Sequence, residues 1–402
     1  MIGLIPRDCW EHRIADFFRA LLSTHAHRPN IEGFYINGLG NCLPLRSGRA
    51  GLVLAIKALN LPTGAGIGVP LFCCSVVFKA IIAAGCKVEF IDVEPETFCM
   101  SPSDLSKKNK QVDAVIAVHM FGNLCDIHGM RLAAPGKPMI EDCAQALGSK
   151  LDDRPAGTFG DISFFSFRSG KYLSVGEGGA LYSRDADICS RLSQLIAEMS
   201  APIWREELVH VGKTYIKSIL RSRPLYGVLG YHLWNILGKK INLNEKSAVH
   251  LSKIYKADFA VIKKRLSWLD SAIKKQRANA DYFSRALKLE PGMQCREQQG
   301  TFYNRYHYPV TFSSKDERDY MADYLLKRGV DTIKYLDDIA DIAARNYGYT
   351  GNCPISEQLA KSVLIIPSYY SLNDKDLQHI AQCLNEGWER MAAYAPMKAM
   401  TI

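Results

Sequence analysis

Between residues 48 and 183 the apolar positions change rhythm again and again. The stretch GRAGLVLAIKALN spaces them as a helix does, and GIGVPL follows as a short unbroken apolar run. SVVFKAIIAAG is helical again and closes on a glycine, which suits a helix C-terminus. Then come KVEFIDV, DAVIAVHM, KPMIED, DISFFSF and GALYS, each short and rich in residues that favour strands. Such runs, separated by helical segments, predict a mostly parallel sheet buried on both faces and sandwiched by helices. Functional residues of an α/β domain of this kind are expected at the strand ends.

Beyond residue 183 the pattern becomes mainly helical. Residues 184 to 200 form one helix, and YIKSILRSRPLYGVLGYHLWNILGKKINL, residues 215 to 243, interrupts the α/β pattern. This stretch is apolar and aromatic, carries Lys217, Arg221 and Arg223 upstream and Lys239 and Lys240 downstream, and is too short and charged to span a bilayer. It reads as a helical insertion packed on the protein or a subunit partner, the alternative being a helix resting on an anionic membrane. A long helical pattern covers 252 to 288. YHYPVTF and SVLIIPSYY then predict strands, and SKDERDYMADYLLKRG and NDKDLQHIAQCLNEGWERM predict helices. The expected organisation is a large α/β domain over 1–255, with the insertion near 201–250, and a smaller C-terminal α+β domain over 256–402.

Composition narrows the class. At 402 residues, 48% hydrophobic and 23% charged, the chain is an ordinary globular protein. Its net charge of +9 suits anionic partners, but the basic residues are scattered and form no nucleic-acid-binding stripe. The 12 cysteines include no C-x-x-C pair and no metal-ligand spacing, which points to free thiols, no metal and a reducing, cytoplasmic setting. The N-terminal MIGLIPRDCWEHRIADFF lacks the unbroken apolar core of a signal peptide.

Candidate chemistry lies at the ends of the first-domain strands. Asp142 ends one strand with Gln145 three residues on; Ser166 ends another, and Lys171 follows in a Gly/Ser-rich bend; Ser47 and Gly48 open the first helix. A buried carboxylate is costly without a cationic or hydrogen-bonding partner. Desolvation pushes a lysine toward the neutral, nucleophilic amine, and helix N-termini offer N–H groups to phosphate. Pyridoxal phosphate meets all three demands with its pyridinium nitrogen, its aldehyde and its phosphate. Taken singly, each residue has a plainer reading: Asp142 as a cap, Ser166 as a core hydroxyl, Gly48 as a tight helix entry and Lys171 as a turn residue.

Order and spacing go further. MIEDCAQALGSKLDDRPAGTFGDISFFSFRSGKYLSVGEGGALYS strongly resembles the nucleotide-sugar aminotransferases of the DegT/StrS type, which are fold type I pyridoxal-phosphate enzymes. RSGRAGLVLAIKALNL, GVPLFCCSVVFKAIIAAGCKVEFIDVEPET and AVIAVHMFGNLCDI extend the resemblance, and LDSAIKKQRANADYFSRAL and LIIPSYYSLNDKDLQHI continue it more weakly. The resemblance implies that Lys171 carries the cofactor and moves the proton, and that Asp142 pairs with the pyridinium. It further implies that Gln145 packs near the ring 3-oxygen and that Ser166, with Gly48 and Arg49 at the helix start, binds the phosphate. Three positions depart from the family pattern. Arg49 replaces a small hydroxyl residue, Cys74 stands where a stacking aromatic is usual, and LSKI at 251–254 lacks the asparagine that reaches the partner's phosphate, leaving Ser252 or Lys253 as substitutes. His119 in VHMFG is a candidate substrate-side residue, with a satisfied core histidine as the alternative.

The implied activity is transfer of an amino group, with glutamate as donor, to a nucleotide-linked keto sugar for cell-surface polysaccharide or another glycoconjugate. The implied assembly is a homodimer with shared sites. Relatives that dehydrate similar sugars carry histidine in place of the lysine, so Lys171 argues against that chemistry. A non-catalytic or regulatory homologue of the same fold is the alternative from another class.

Overall fold

The alternation of strand and helix becomes one eight-stranded sheet in the computed structural model, which describes residues 3–10, 12–25, 33–36, 38–223, 225–233, 249–290, 292–297 and 299–399. Its strands are β1 (Phe34–Ile36), β2 (Gly40–Leu45), β3 (Gly66–Pro70), β4 (Lys87–Ile91), β5 (Ala114–Val118), β6 (Met139–Asp142), β9 (Ile162–Ser166) and β10 (Gly179–Tyr182). They lie in the order β1-β2-β10-β9-β6-β5-β3-β4. The five strands from β9 to β4 pair in parallel, whereas β10 and the β1–β2 pair join antiparallel. All residues of β3 and β5 are buried, as their unbroken apolar runs require. The β1–β2 pair at the sheet edge lacks a clear period-2 pattern and is not among the predicted strands.

Helices α1 (Ile14–Ser23), α2 (Gly48–Ala58), α3 (Ser75–Ala83), α4 (Pro102–Lys108), α5 (Ile127–Ala133) and α6 (Ala186–Ala197) surround this sheet region. Ser47 caps α2 by accepting from the Ala50 amide at 3.2 Å. The insertion begins as α7 (Trp204–Arg221), earlier than its apolar pattern suggested, and continues as a π-helical turn over Tyr226–Gly230. The predicted stretch from 234 to 243, with Lys239 and Lys240, lies outside the described residues. Among the described residues no helix is long and apolar enough to cross a membrane.

The long pattern at 252–288 divides into α8 (Lys256–Arg265) and α9 (Leu269–Ala286), with a 3-10 turn over Leu266–Trp268 between them. Arg265 anchors the end of α8, donating to the Ser174 carbonyl and to Asp16 at 2.7 Å. Ile254, Ala257, Ile262 and Ile273 pack with Phe165, Phe167 and Leu173 of the large domain, whereas Ala280 and Phe283 pack in the C-terminal core. Thus α9 spans both cores.

The remaining elements are α10 (Lys315–Lys327), α11 (Ile339–Tyr347), α12 (Pro354–Ser362) and α13 (Asp374–Ala399), with β12 (Tyr308–Thr311), β13 (Ile333–Lys334) and β14 (Val363–Ile366) in an antiparallel sheet ordered β12-β14-β13. Pro367 follows β14 and has no N–H to continue the ladder, so this strand is shorter than SVLIIPSYY predicts. A small ribbon of β7 (Lys150–Leu151), β8 (Arg154–Pro155) and β11 (Thr301–Phe302) ties residue 301 back to the large domain. Twelve free cysteines complete the chain.

Candidate active site

The C-terminal end of β9 meets the N-terminus of α2, and Asp142 at the end of β6 lies close enough to Lys171 for their charges to act on each other. Gly48 is the first residue of α2. A Cβ at this position would stand 3.0 Å from the Ser166 Cβ, so glycine lets the helix start press against the end of β9. The Ala50 amide is taken by Ser47, and the amides of Gly48 and Arg49 have no acceptor within the helix itself. With the Ser166 hydroxyl beside them, they make a corner whose donors suit an anion.

β6 ends in two carboxylates on opposite faces. Asp142 is 7% exposed, and its Oδ1 accepts from the Ala144 amide at 2.9 Å. Burial raises its pKa, against the opposing pull of that amide and of the charges on Lys171 and His119. Lys171 lies in the bend after β9 with its Nζ 4.6 Å from the centre of the Tyr306 ring. Burial, helped by the positive charge of Arg168, pulls its amine down to about 8 despite the counterpull of Asp142 and Cys74. A neutral amine is therefore well populated near physiological pH.

Gln145 donates from Nε2 to the Tyr335 hydroxyl at 3.1 Å, and its buried Oε1 has no partner. An orphaned buried acceptor is costly, and a donor brought by a ligand beside Gln145 would relieve it. The lysine, the carboxylate, the orphaned acceptor and the glycine corner together fit pyridoxal phosphate.

The structure corrects the reading of His119 as a substrate-side residue. Its ring is fully buried, with Nε2 3.0 Å from Glu141 Oε2 and Nδ1 accepting from the Cys125 amide at 3.1 Å. Glu141 also accepts from the amides of Gly157, Phe159 and Gly160 at 2.5–2.8 Å. Cys143 brings a third ligand-type atom within 4.8 Å of these two, but the carboxylate is already saturated by hydrogen bonds. His119 is a satisfied core histidine.

The other candidates are placed as follows. Arg49 and Cys74 are exposed, Cys74 at the start of α3. Ser252 is buried and receives a hydrogen bond from Arg46 at 3.3 Å, while the Lys253 amide donates to the Ser200 carbonyl. Of the sequence candidates only Lys171 lines the cleft between the N-terminal segment and Tyr306; Gly48, Asp142, Gln145 and Ser166 lie outside that lining, as do Ser252 and Lys253.

Three rings that the sequence pattern did not single out stand close by: Tyr306 and His307 line the Lys171 cleft, and Tyr335 holds Gln145. Tyr306 donates to the Gly170 carbonyl at 2.8 Å. The His307 ring lies 4.2 Å from that of Tyr306, and burial with the nearby Lys171 charge lowers its pKa to about 3, leaving it neutral. Tyr335 packs on Phe121 at 5.0 Å and Phe72 at 5.9 Å. Phe121, Arg305 and Leu336, at or beside these rings, have positive φ of 57–59°. Such strain in residues other than glycine concentrates at functional sites. Arg7, Asp8 and Cys9, from the N-terminal segment, line the same cleft beside Lys171, which encloses only about 30 Å³.

Comparison with known proteins agrees with this geometry. The profile of the DegT/DnrJ/EryC1/StrS aminotransferase family matches residues 35–385. The GDP-perosamine synthase of Vibrio cholerae is 25% identical over 352 residues, 84% of each chain. The UDP-N-acetyl-3-dehydro-α-D-glucosamine 3-aminotransferase of Acidithiobacillus ferrooxidans is 25% identical over 381 residues, covering 92% of this chain and 90% of its own. Among solved structures, Spr1654 from Streptococcus pneumoniae in its PMP form superposes with a TM-score of 0.76 at 15% identity, covering 98% of this chain and all of its own. The chain belongs to the DegT/DnrJ/EryC1/StrS aminotransferase family.

Proposed function

We propose that the protein uses pyridoxal 5′-phosphate to move an amino group from glutamate to a keto sugar carried on a nucleotide, with Lys171 as the catalytic residue. The observation that carries this reading is the buried Lys171 amine, drawn down to about 8, near a desolvated Asp142. The names of the relatives from Vibrio cholerae and Acidithiobacillus ferrooxidans support a nucleotide-linked sugar as substrate.

When bound, the cofactor supplies a carbonyl carbon that exchanges amino groups and a ring that withdraws electrons. The Lys171 Nζ, neutral for part of the time, would hold the cofactor and hold or release a proton. Asp142 presents a carboxylate to a protonated ring nitrogen, and its own desolvation strengthens that pairing. Ser166 and the first amides of α2 would hold the phosphate, and the unpartnered Gln145 Oε1 would accept from a donor on the ligand. Arg49 and Cys74 stand at the exposed rim.

The family resemblance supports a homodimer with shared sites; 251–254 would be the segment that reaches the second site, with Ser252 or Lys253 in place of the usual asparagine. Free cysteines support a reducing, cytoplasmic setting, and a sugar-nucleotide substrate supports a place in polysaccharide or glycoconjugate assembly.

Borohydride reduction of the holoenzyme followed by peptide mass mapping tests the core of the proposal. The pyridoxyl adduct is expected on Lys171, and glutamate is expected to bleach the visible absorbance of the unreduced protein. An adduct on another lysine overturns the assignment.

A further inference from the structure

The insertion grips the N-terminal segment, and that segment walls the Lys171 cleft. Ser218 of α7 donates from Oγ to the Trp10 carbonyl at 2.6 Å and accepts from the His12 amide at 3.1 Å. Arg221, also of α7, lies between two rings, 4.6 Å from the centre of Trp10 and 5.5 Å from that of Tyr226, and pairs with Asp8. Tyr226, fully buried in the π-helical turn, donates to Asp331. Asp331 in turn takes Arg7 through two bonds, of 2.6 and 3.0 Å. Asp8, Trp10 and His12 are thus each held by the insertion, and Arg7 and Cys9 by the C-terminal part of the chain.

The fixed segment lies directly on the residue before the reactive lysine. A Cβ at Gly170 would stand 3.1 Å from the Trp10 indole nitrogen and 3.6 Å from an Asp8 oxygen. With φ +94°, that position suits glycine on both counts. On its inner side the segment presents Arg7, Asp8 and Cys9 to the cleft beside Lys171. On its outer side a second cavity of about 280 Å³ is lined by Asp8, Trp10, Ser218, Arg221 and Arg223. The wall is therefore a partition with space on both sides, and the insertion keeps it in place. π-helical turns recur at functional sites, and this one supplies Tyr226 to the clamp.

We propose that Arg221 and Tyr226 are positioning residues that hold residues 7–10 as the sugar-side wall of the Lys171 cleft, so that the insertion sets which nucleotide sugar is accepted. This rests on the proposed sugar-aminotransferase function. Neither side chain lines the cleft, so their effect on substrate passes through Arg7, Asp8 and Cys9.

The test uses the holoenzyme and its Arg221→Ala, Arg221→Lys and Tyr226→Phe variants. The probes are UDP-N-acetyl-3-dehydro-α-D-glucosamine with glutamate, and GDP-perosamine with 2-oxoglutarate for the reverse direction. In Arg221→Ala, amide hydrogen exchange over 7–12 is expected to speed up about 10-fold or more, an opening of the kind that local contacts control. KM for the accepted sugar is expected to rise about 10-fold with kcat within about 2-fold, the pattern of lost uniform binding. The glutamate half-reaction and the visible absorbance of the cofactor should stay at wild-type values. Arg221→Lys should recover part of the KM effect, and Tyr226→Phe should show a smaller shift of the same kind. Faster exchange over 7–12 with an unchanged sugar KM makes the clamp structural only and overturns the inference. An equal loss in the glutamate half-reaction overturns it as well, because the defect is then in the cofactor site. A wild-type enzyme that reacts with glutamate but with neither sugar removes the proposed substrate class, and the inference falls with it.

Discussion

Glu141 and Asp142 are neighbours on one strand, and their side chains enter two different environments. On one face Glu141 meets His119 and three backbone amides, so that its pKa stays below the usual carboxylate range although burial pushes the other way. On the other face Asp142 has the Ala144 amide and the partial help of Lys171, and burial prevails. One region is electrostatically complete, whereas the other awaits a ligand. The difference separates a carboxylate that stabilises the fold from one suited to chemistry, and composition treats the two as equivalent.

The largest expected effect breaks the incomplete side outright. Lys171→Ala should lower transamination by roughly 10²–10⁴-fold from the loss of proton transfer alone, and borohydride should leave no pyridoxyl adduct on residue 171. Asp142→Asn should lower turnover by roughly 10²-fold, the scale on which a preorganised electrostatic partner acts. Its apoprotein should melt no lower than the wild type, because the replaced carboxylate is costly to bury. Calorimetry of the apoprotein together with steady-state rates of the holoenzyme checks both halves.

Glu141→Gln tests the complete side. An amide nitrogen turned toward the loop amides leaves donors facing a donor, and the expected loss is about 3 kcal/mol of stability, measured by urea unfolding. Acid should separate the same pair. Because the folded-state pKa of Glu141 is depressed, its contribution is present above the ordinary carboxylate pKa and fades as pH falls through the folded value. The raised pKa of Asp142 acts with the opposite sign and favours the folded apoprotein as pH falls. Unfolding free energies of Asp142→Asn and Glu141→Gln should therefore depart from wild type with opposite pH slopes.

Smaller effects should sharpen the contrast. Capture of added pyridoxal phosphate by the apoprotein should accelerate as pH rises through about 8 and level off above it, since the reactive form is the neutral Lys171 amine. A midpoint near the ordinary lysine value would contradict the desolvated environment. Tyr335→Phe removes the hydroxyl that accepts from Gln145 and keeps the ring against Phe121. The expected change is a few-fold in kcat, with a shift in the pH dependence of the cofactor's absorbance, about what one neutral hydrogen bond is worth.

The parallel sheet was legible because strands buried on both faces must be apolar throughout, as AVIAV in β5 is. Asp142, Ser166 and Lys171 were legible because each sits within a few residues of a strand end. His119 was left between two readings, and its contacts support the satisfied core histidine. Its position after β5 suits a cleft residue, and only the three-dimensional contacts show that Glu141 and the Cys125 amide take both ring nitrogens. Tyr306 and His307 were read as strand, yet β12 begins at Tyr308, and Arg305 turns the chain just before them with φ +57°. Arg7, Asp8 and Cys9 carry no periodic signal. They reach the cleft because Ile5 bridges to Val330 in the C-terminal core and the insertion holds the residues that follow.

The composition of the cleft wall has a consequence for descent. The anion corner and the lysine bend come from segments fastened to one sheet, where a change of one residue disturbs several contacts at once. The opposite wall is assembled from residues 7–9, 276, 306–307 and 368–370, brought together from distant parts of the chain. Substitutions there can accumulate one at a time while the sheet ends stay intact. A lineage built this way can exchange one sugar for another through drift in its terminal segment and its insertion, and keep its amino-transfer chemistry unchanged throughout.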